Sequence, residues 1–260
     1  MEFFDTHSHY NDEKFDEDRE QIIKDTYESG VTKFVCAGYN IESSQKAIEL
    51  SKKYEFIYSI CGISPNDIPQ SEQELWKNIV EISKIVKENI GKKLVAIGEI
   101  GLDYYWSTEN QDLQKLAFVK QIDLANELGL PIVIHSRDAS VDTIEILKTH
   151  QVRKAGIFHC CQFNREMIRQ ALELGYYISF AGPVTFKNSK NAPDILNMVP
   201  LDKILIETDS PYLSPEPNRG KRNDSRNVKY VAQKIADLKG MSIEDIAKIT
   251  YENAKRIFTI

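Results

Sequence analysis

Four of the chain's five histidines stand at the end of short apolar runs, and two carboxylates stand in matching places. His7 and His9 follow Phe3 and Phe4, His135 closes Ile132-Val133-Ile134, and His159 closes Gly156-Ile157-Phe158. Glu99 follows Leu94-Val95-Ala96-Ile97-Gly98, and Asp209 follows Ile204-Leu205-Ile206-Glu207-Thr208. Imidazole nitrogens and carboxylate oxygens hold first-row divalent ions, and such ions activate water for hydrolysis. His7 and His9 are spaced i, i+2, which on extended backbone turns both imidazoles to one side. A carboxylate near the axis of a packed barrel is costly to desolvate unless cations pair with it, which applies to Glu99 and Asp209 alike. These six side chains are therefore expected to form one metal site. His150, in Lys148-Thr149-His150-Gln151, falls at a helix end and is expected on the surface.

Such convergence needs elements that each deliver a residue to one place. Eight short apolar runs read as strands, over 2–6, 32–37, 56–61, 94–98, 132–135, 155–159, 176–180 and 203–208. Helical periods follow over 16–29, 42–54, 71–89, 111–128, 140–149, 165–174, 192–198 and 228–238, with a last helix over 243–258. Ser71 with Glu74 reads as a capping box, Gly129 and Pro131 as a stop, and Ser242 as an N-cap. The strand runs are continuously apolar rather than alternating, as expected when both faces are buried. The count is that of a (β/α)8 TIM barrel, an α/β fold whose active sites open at the C-terminal ends of the strands. Residues 1–260 show no Ser/Gly/Pro-rich linker and no repeat, so a single domain is expected.

Composition sets limits on function. With 42% hydrophobic and 28% charged residues the chain is of ordinary globular type. A net charge of −6 gives no general attraction to a polyanion, so nucleic acid would need a local basic patch. No apolar run approaches about 18 residues and no signal-like segment leads the chain, so neither membrane insertion nor export is expected, and the cytoplasm is. Nothing indicates an obligate protein partner. The four cysteines read as buried small side chains of a reducing compartment; adjacent Cys160 and Cys161 could bridge only in a strained ring. Either could also act as a ligand beside His159.

Several segments together carry a family resemblance. They are Asp5-Thr6-His7-Ser8-His9, Gly98-Glu99-Ile100-Gly101-Leu102-Asp103-Tyr104, Ile134-His135-Ser136-Arg137, Thr185-Phe186-Lys187-Asn188, and Thr208-Asp209-Ser210-Pro211-Tyr212-Leu213 through Arg219-Gly220-Lys221-Arg222-Asn223. In order and spacing they resemble the signature blocks of the TatD family, metal-dependent deoxyribonucleases of the amidohydrolase superfamily. The resemblance implies two divalent ions, one held by His7, His9 and Asp209, the other by His135 and His159, with Glu99 bridging. Glu99 and Asp209 would be the catalytic carboxylates, Asp209 orienting a water and taking its proton. A nitrogen and oxygen ligand set fits Zn²⁺, Mn²⁺, Co²⁺ or Mg²⁺. The implied activity is phosphodiester hydrolysis, trimming single-stranded nucleic acid from its 3′ end.

The chain departs from the family after its third strand, where members often carry Gly-Ile-His-Pro-His and this sequence has Gly62-Ile63-Ser64-Pro65-Asn66. Ser64 and Asn66 donate hydrogen bonds but deliver no proton at neutral pH. A second departure follows His159, where Cys161-Gln162-Phe163 replaces an aromatic residue and a small turn, which bears on pocket shape. Phosphate contact is expected instead from Arg137 and from the basic loop cluster Arg219, Lys221 and Arg222, with Lys187 weaker; the alternative for the loop is a solvated cluster balanced by Glu216 and Asp224. Tyr104, Tyr105 and Trp106 either stack an unpaired base or pack over their own loop. The alternative activity is hydrolysis of a lactone, ester or cyclic amide on nearly the same ligands. Relatives of that kind often bridge their metals with a carbamylated lysine, and Glu99 stands in its place here. A non-catalytic metal-binding barrel is a third class. A phosphoesterase of the polymerase-and-histidinol-phosphatase type also begins His-x-His, but on a seven-stranded barrel.

Overall fold

Eight parallel strands pair in sequence order, each followed by a helical segment, in a computed structural model that describes residues 1–106 and 109–260. The strands are β1 (Phe3–Ser8), β2 (Val31–Ala37), β3 (Ile57–Cys61), β4 (Leu94–Asp103), β5 (Ile132–Arg137), β6 (Ile157–Phe158), β7 (Tyr177–Phe180) and β8 (Ile204–Ile206). The helices are α1 (Arg19–Glu28), α2 (Ile41–Lys53), α3 (Glu72–Asn89), α4 (Gln111–Leu128), α5 (Ser140–Thr149), α6 (Arg165–Glu173), α7 (Ala192–Met198), α8 (Val228–Lys239) and α9 (Ile243–Phe258). Eight strands match the barrel expectation and exclude the seven-stranded alternative.

Local chemistry explains several helix boundaries. The side chains of Ser71, Asn164 and Ser242 accept from backbone amides in the first turns of α3, α6 and α9, satisfying donors that a helix N-terminus leaves free. Gly129 ends α4 in the left-handed region at φ 65°, which costs glycine little. The helix expected from residue 16 begins instead at Arg19, and a 3-10 turn over Glu13–Phe15, capped by Asp12, precedes it.

One buried cluster takes a residue from every strand: Phe4, Val35, Ile60, Val95, Val133, Ile157, Tyr177 and Leu205. It fills the barrel interior. Ala254, Ile257 and Phe258 of α9 join it and plug one end, with the Phe4 ring against Tyr251 and Phe258. A second cluster lies between the strands and the surrounding helices. With its interior packed with hydrocarbon, the barrel leaves polar side chains only the opposite mouth.

Closure between β8 and β1 is made largely by residues past the end of β8. Asp209 N donates to His7 O at 2.9 Å, His9 N to Ser210 O at 2.7 Å, and the Thr6 hydroxyl to Ile206 O at 3.0 Å. The buried Asp5 carboxylate accepts from Thr208 N at 2.9 Å and His7 N at 3.2 Å. Burial pushes its pKa up to about 7 against those hydrogen bonds.

Candidate metal centre

All six expected ligand side chains meet at the C-terminal mouth. His7 lies in β1 with His9 just beyond it, Glu99 in β4, His135 in β5, His159 just after β6 and Asp209 after β8. Glu99 sits in the middle. Its Oε2 is 3.4 Å from His7 Nε2 and 3.7 Å from His9 Nε2; its Oε1 is 3.0 Å from His135 Nδ1 and 3.4 Å from His159 Nε2. Asp209 Oδ1 lies 3.2 Å from His9 Nε2 and 3.8 Å from His7 Nε2. The two Nε2 atoms of His7 and His9 are 3.2 Å apart, as are His135 Nδ1 and His159 Nε2. His7, His9, Glu99 and His159 are buried, while the His135 and Asp209 side chains keep 17% and 15% of their surface open to solvent.

Two triads have ligand-type atoms all within 4.8 Å of one another: His7, His9 and Asp209, and His7, Glu99 and His159. The second triad crosses between the sets that the two Glu99 oxygens face. The division by Glu99 oxygens is the better guide, because it accounts for His135, the imidazole closest to Glu99. Among the described residues neither group contains a cysteine. All four thiols are free, and burial pushes those of Cys36, Cys61 and Cys161 up to about 12.

The outer ring nitrogens show how the imidazoles are held. His9 Nδ1 lies 3.1 Å from Ala37 O, and His135 Nε2 lies 2.9 Å from Asp103 Oδ2. His159 Nδ1 faces Glu207 Oε1 at 3.4 Å without hydrogen-bond alignment, and His7 Nδ1 has no partner. A ring that donates from its outer nitrogen presents a lone pair on the inner one. His9 and His135 thus direct lone pairs at two carboxylates, an arrangement that calls for cations between them. The buried nitrogen and oxygen donors suit divalent metal.

Electrostatics agree. Burial opposes the charge on Glu99, but His159 and hydrogen bonds from His135, His159 and His7 hold it well below the usual carboxylate range. Burial likewise opposes protonation of His159, yet Glu99 and Glu207 raise its pKa well above the ordinary value. Burial opposes the protonated forms of His9 and His135 as well; Asp209 raises the first and Asp103 the second. His7 is lowered, by burial and by the charge of His159.

Asp209 and Cys160 both adopt left-handed backbone, at φ 55° and 46°, which is uncommon for non-glycine residues and concentrates at functional sites. Gly101 has φ 137°, and a Cβ there would meet His135 O at 2.0 Å. Only glycine lets β4 run this close to β5, which brings Glu99 and His135 together.

Sequence reasoning gave no role to Asp103 or Glu207, the carboxylates behind His135 and His159. Asp103 was hidden because β4 was expected to stop at Gly98, whereas it pairs with β5 as far as Asp103 and Arg137. Glu207 falls within the run expected as the eighth strand, where nothing local marks it. It is fully buried and accepts from Cys160 N at 2.7 Å.

The expected phosphate contacts fare unequally. Arg222 is already committed: it pairs with Asp18 at 3.0 and 2.6 Å and donates to Lys14 O. The carboxylate in contact with Arg222 is thus Asp18, while Asp224 pairs with Arg226. Arg219 is exposed with its guanidinium 3.9 Å from the Phe186 ring centroid, and Lys221 and Lys187 are exposed. Arg137 lies 3.7 Å over the Tyr105 ring. Ser64 caps the short turn Pro65–Asp67, donating to Asp67 Oδ2 at 3.0 Å, and Asn66 Nδ2 reaches Asp103 Oδ2 at 3.4 Å. His150 is exposed at the end of α5, as expected.

A parallel eight-stranded barrel with imidazoles and carboxylates gathered at its C-terminal mouth is the arrangement of a metal-dependent hydrolase. The family model described as TatD related DNase matches residues 4–259. The chain is 45% identical to the uncharacterized metal-dependent hydrolase YabD of Bacillus subtilis, over 99% of both chains. It is 41% identical to YcfH of Escherichia coli, over 77% of this chain and 73% of that one. The protein belongs to the TatD family. In fold it is similar to YjjV, a TatD homologue of Escherichia coli, at a TM-score of 0.92 and 24% identity, covering 99% and 98% of the two chains. It also matches the phosphotriesterase homology protein of Escherichia coli, solved with phosphate in its active site, at a TM-score of 0.73 and 17% identity, covering 99% and 98%. No helix among the described residues is long and apolar enough to cross a membrane.

Proposed function

We propose that the protein is a two-metal phosphodiesterase that shortens single-stranded nucleic acid from its 3′ end. The observation that carries this reading is the division of Glu99, Oε2 towards His7 and His9 and Oε1 towards His135 and His159. A carboxylate so placed can bridge two ions, one held with His7, His9 and Asp209 and one with His135 and His159. Zn²⁺, Mn²⁺, Co²⁺ and Mg²⁺ all suit such donors. Bound divalent ions supply Lewis acidity towards a phosphoryl oxygen and a source of hydroxide near neutral pH.

The chain's own residues would do the rest. Asp209 turns Oδ1 to His9 and His7, leaving Oδ2 to orient a water and take its proton. Its carboxyl is held below the usual range by His9 despite burial, so it is ionised and ready to accept. Arg137 and Arg219 would hold phosphates, with Lys221 and Lys187 as lesser contacts, while Arg222 fixes its loop to Asp18. The family match, described as a DNase, supports nucleic acid as the substrate class. With few cations and a net charge of −6, a small footprint on a strand end follows rather than a grip on duplex.

A substrate panel on metal-reconstituted protein tests this. Single-stranded DNA, bis(p-nitrophenyl) phosphate and a lactone are compared side by side. Turnover of both phosphodiesters is expected. Turnover of the lactone alone would reassign the protein to carboxylic ester chemistry.

A further inference from the structure

We propose that Tyr105, Trp106 and Arg137 form a stacking platform for one unpaired nucleobase beside the metal centre, held in place by Asp103. This rests on the nucleic-acid reading above and names the part of the substrate the mouth would recognise besides phosphate.

The turn after β4 separates its three aromatics. Tyr104 is half-buried, and its hydroxyl donates to Asp142 Oδ2 at 2.7 Å. Tyr105 and Trp106 are 55% and 69% exposed, so they do not pack over the loop. Their rings meet edge to face, with centroids 4.9 Å apart at 88°. Exposed aromatic rings offer a stacking surface that any unpaired base can use. A base from a single strand has a free face to offer; in duplex that face is already stacked.

Arg137 ties the platform to the centre. It follows His135 by two residues on β5, so both side chains leave the strand on the same side. Its guanidinium lies 3.7 Å from the Tyr105 centroid and 5.5 Å from that of Trp106. The cation thus sits among the aromatics, where a nucleotide would present phosphate and base together.

Asp103 joins the two parts. Its Oδ1 accepts from Tyr105 N at 2.9 Å and Trp106 N at 3.3 Å, while its Oδ2 faces His135 Nε2 at 2.9 Å. One carboxylate therefore fixes both the aromatic turn and a ligand imidazole. Stacking carries no hydrogen-bond readout, so weak preference among bases follows.

The chain has two tryptophans, Trp76 and Trp106. In metal-loaded Trp76→Phe protein, Trp106 is the sole indole reporter. Titration with a short oligothymidylate should quench its fluorescence, and an abasic oligomer of equal length should not. Trp106→Ala should raise KM for the oligonucleotide about tenfold more than for bis(p-nitrophenyl) phosphate, roughly one base stacked, with Trp106→Phe recovering most of the loss. Equal quenching by the abasic strand, or equal losses on both substrates, would overturn the platform. So would oligonucleotide turnover with no quenching, which leaves the phosphodiesterase reading intact. No turnover of any phosphodiester and no quenching would overturn both.

Discussion

Asp103 Oδ2 lies 2.9 Å from His135 Nε2, and this contact decides which nitrogen of His135 faces Glu99. With Nε2 turned outward, Nδ1 points inward, whereas His7, His9 and His159 present Nε2 to the same centre. Carboxylates behind ligand imidazoles fix ring orientation and raise basicity.

Asp103→Asn should therefore weaken metal binding about 10–100-fold while leaving the fold intact. Its amide oxygen can still accept from the Tyr105 and Trp106 amides. Calorimetric titration with Zn²⁺ or Mn²⁺, beside a circular dichroism spectrum, reads the effect. Unchanged affinity would show that His135 keeps its orientation without the carboxylate.

Asp209→Asn should lose about 10²–10⁴ in kcat while keeping its fold and part of its metal. Near wild-type turnover at saturating metal would place the base elsewhere.

The histidines set a pH dependence whose sign follows from their shifts. His9, His135 and His159 are raised above the ordinary value of 6.5 in the metal-free protein, and His7 is lowered. A raised group stabilises the fold below pH 6.5 and loses that contribution as pH climbs through its folded value. His7 works the opposite way, losing its penalty above 6.5, but stands alone against three. The Tm of chelator-treated protein should thus fall as pH rises above 6.5. Metal must displace those protons, so its affinity should rise over the same interval. A metal-free Tm that rises with pH would contradict this charge arrangement.

Arg219 and Arg222 should separate cleanly. Arg222→Ala removes a half-exposed pair with Asp18, worth about 0–1 kcal/mol, and should leave KM for oligonucleotides unchanged. Arg219→Ala should raise that KM and affect bis(p-nitrophenyl) phosphate much less. Melting curves with steady-state kinetics on both substrates decide the assignment.

Residue pattern alone indicated the barrel, because burial on both faces leaves eight continuous apolar runs that read without partners. Helix α4 was legible to the residue, since Gly129 marks its end chemically. Strand β4 was cut short at Gly98, because glycines signal a turn in sequence while here Gly101 permits close approach to His135 O. The six converging side chains were legible from their place after apolar runs. Their supports were not, for Asp103 and Glu207 acquire roles only through contacts 32 and 48 residues away. The Arg222–Asp18 pair spans 204 residues, beyond anything local charge balance could indicate.

The most direct test follows the fate of a single-stranded oligodeoxynucleotide labelled at its 5′ end. Chelator-stripped protein should leave it intact, and readdition of Mn²⁺ or Zn²⁺ should give a ladder of labelled products shortened stepwise from the 3′ end. Glu99→Gln should abolish that ladder. An oligonucleotide that stays intact with every divalent ion tried, or shortens equally with chelator present, would contradict a two-metal phosphodiesterase.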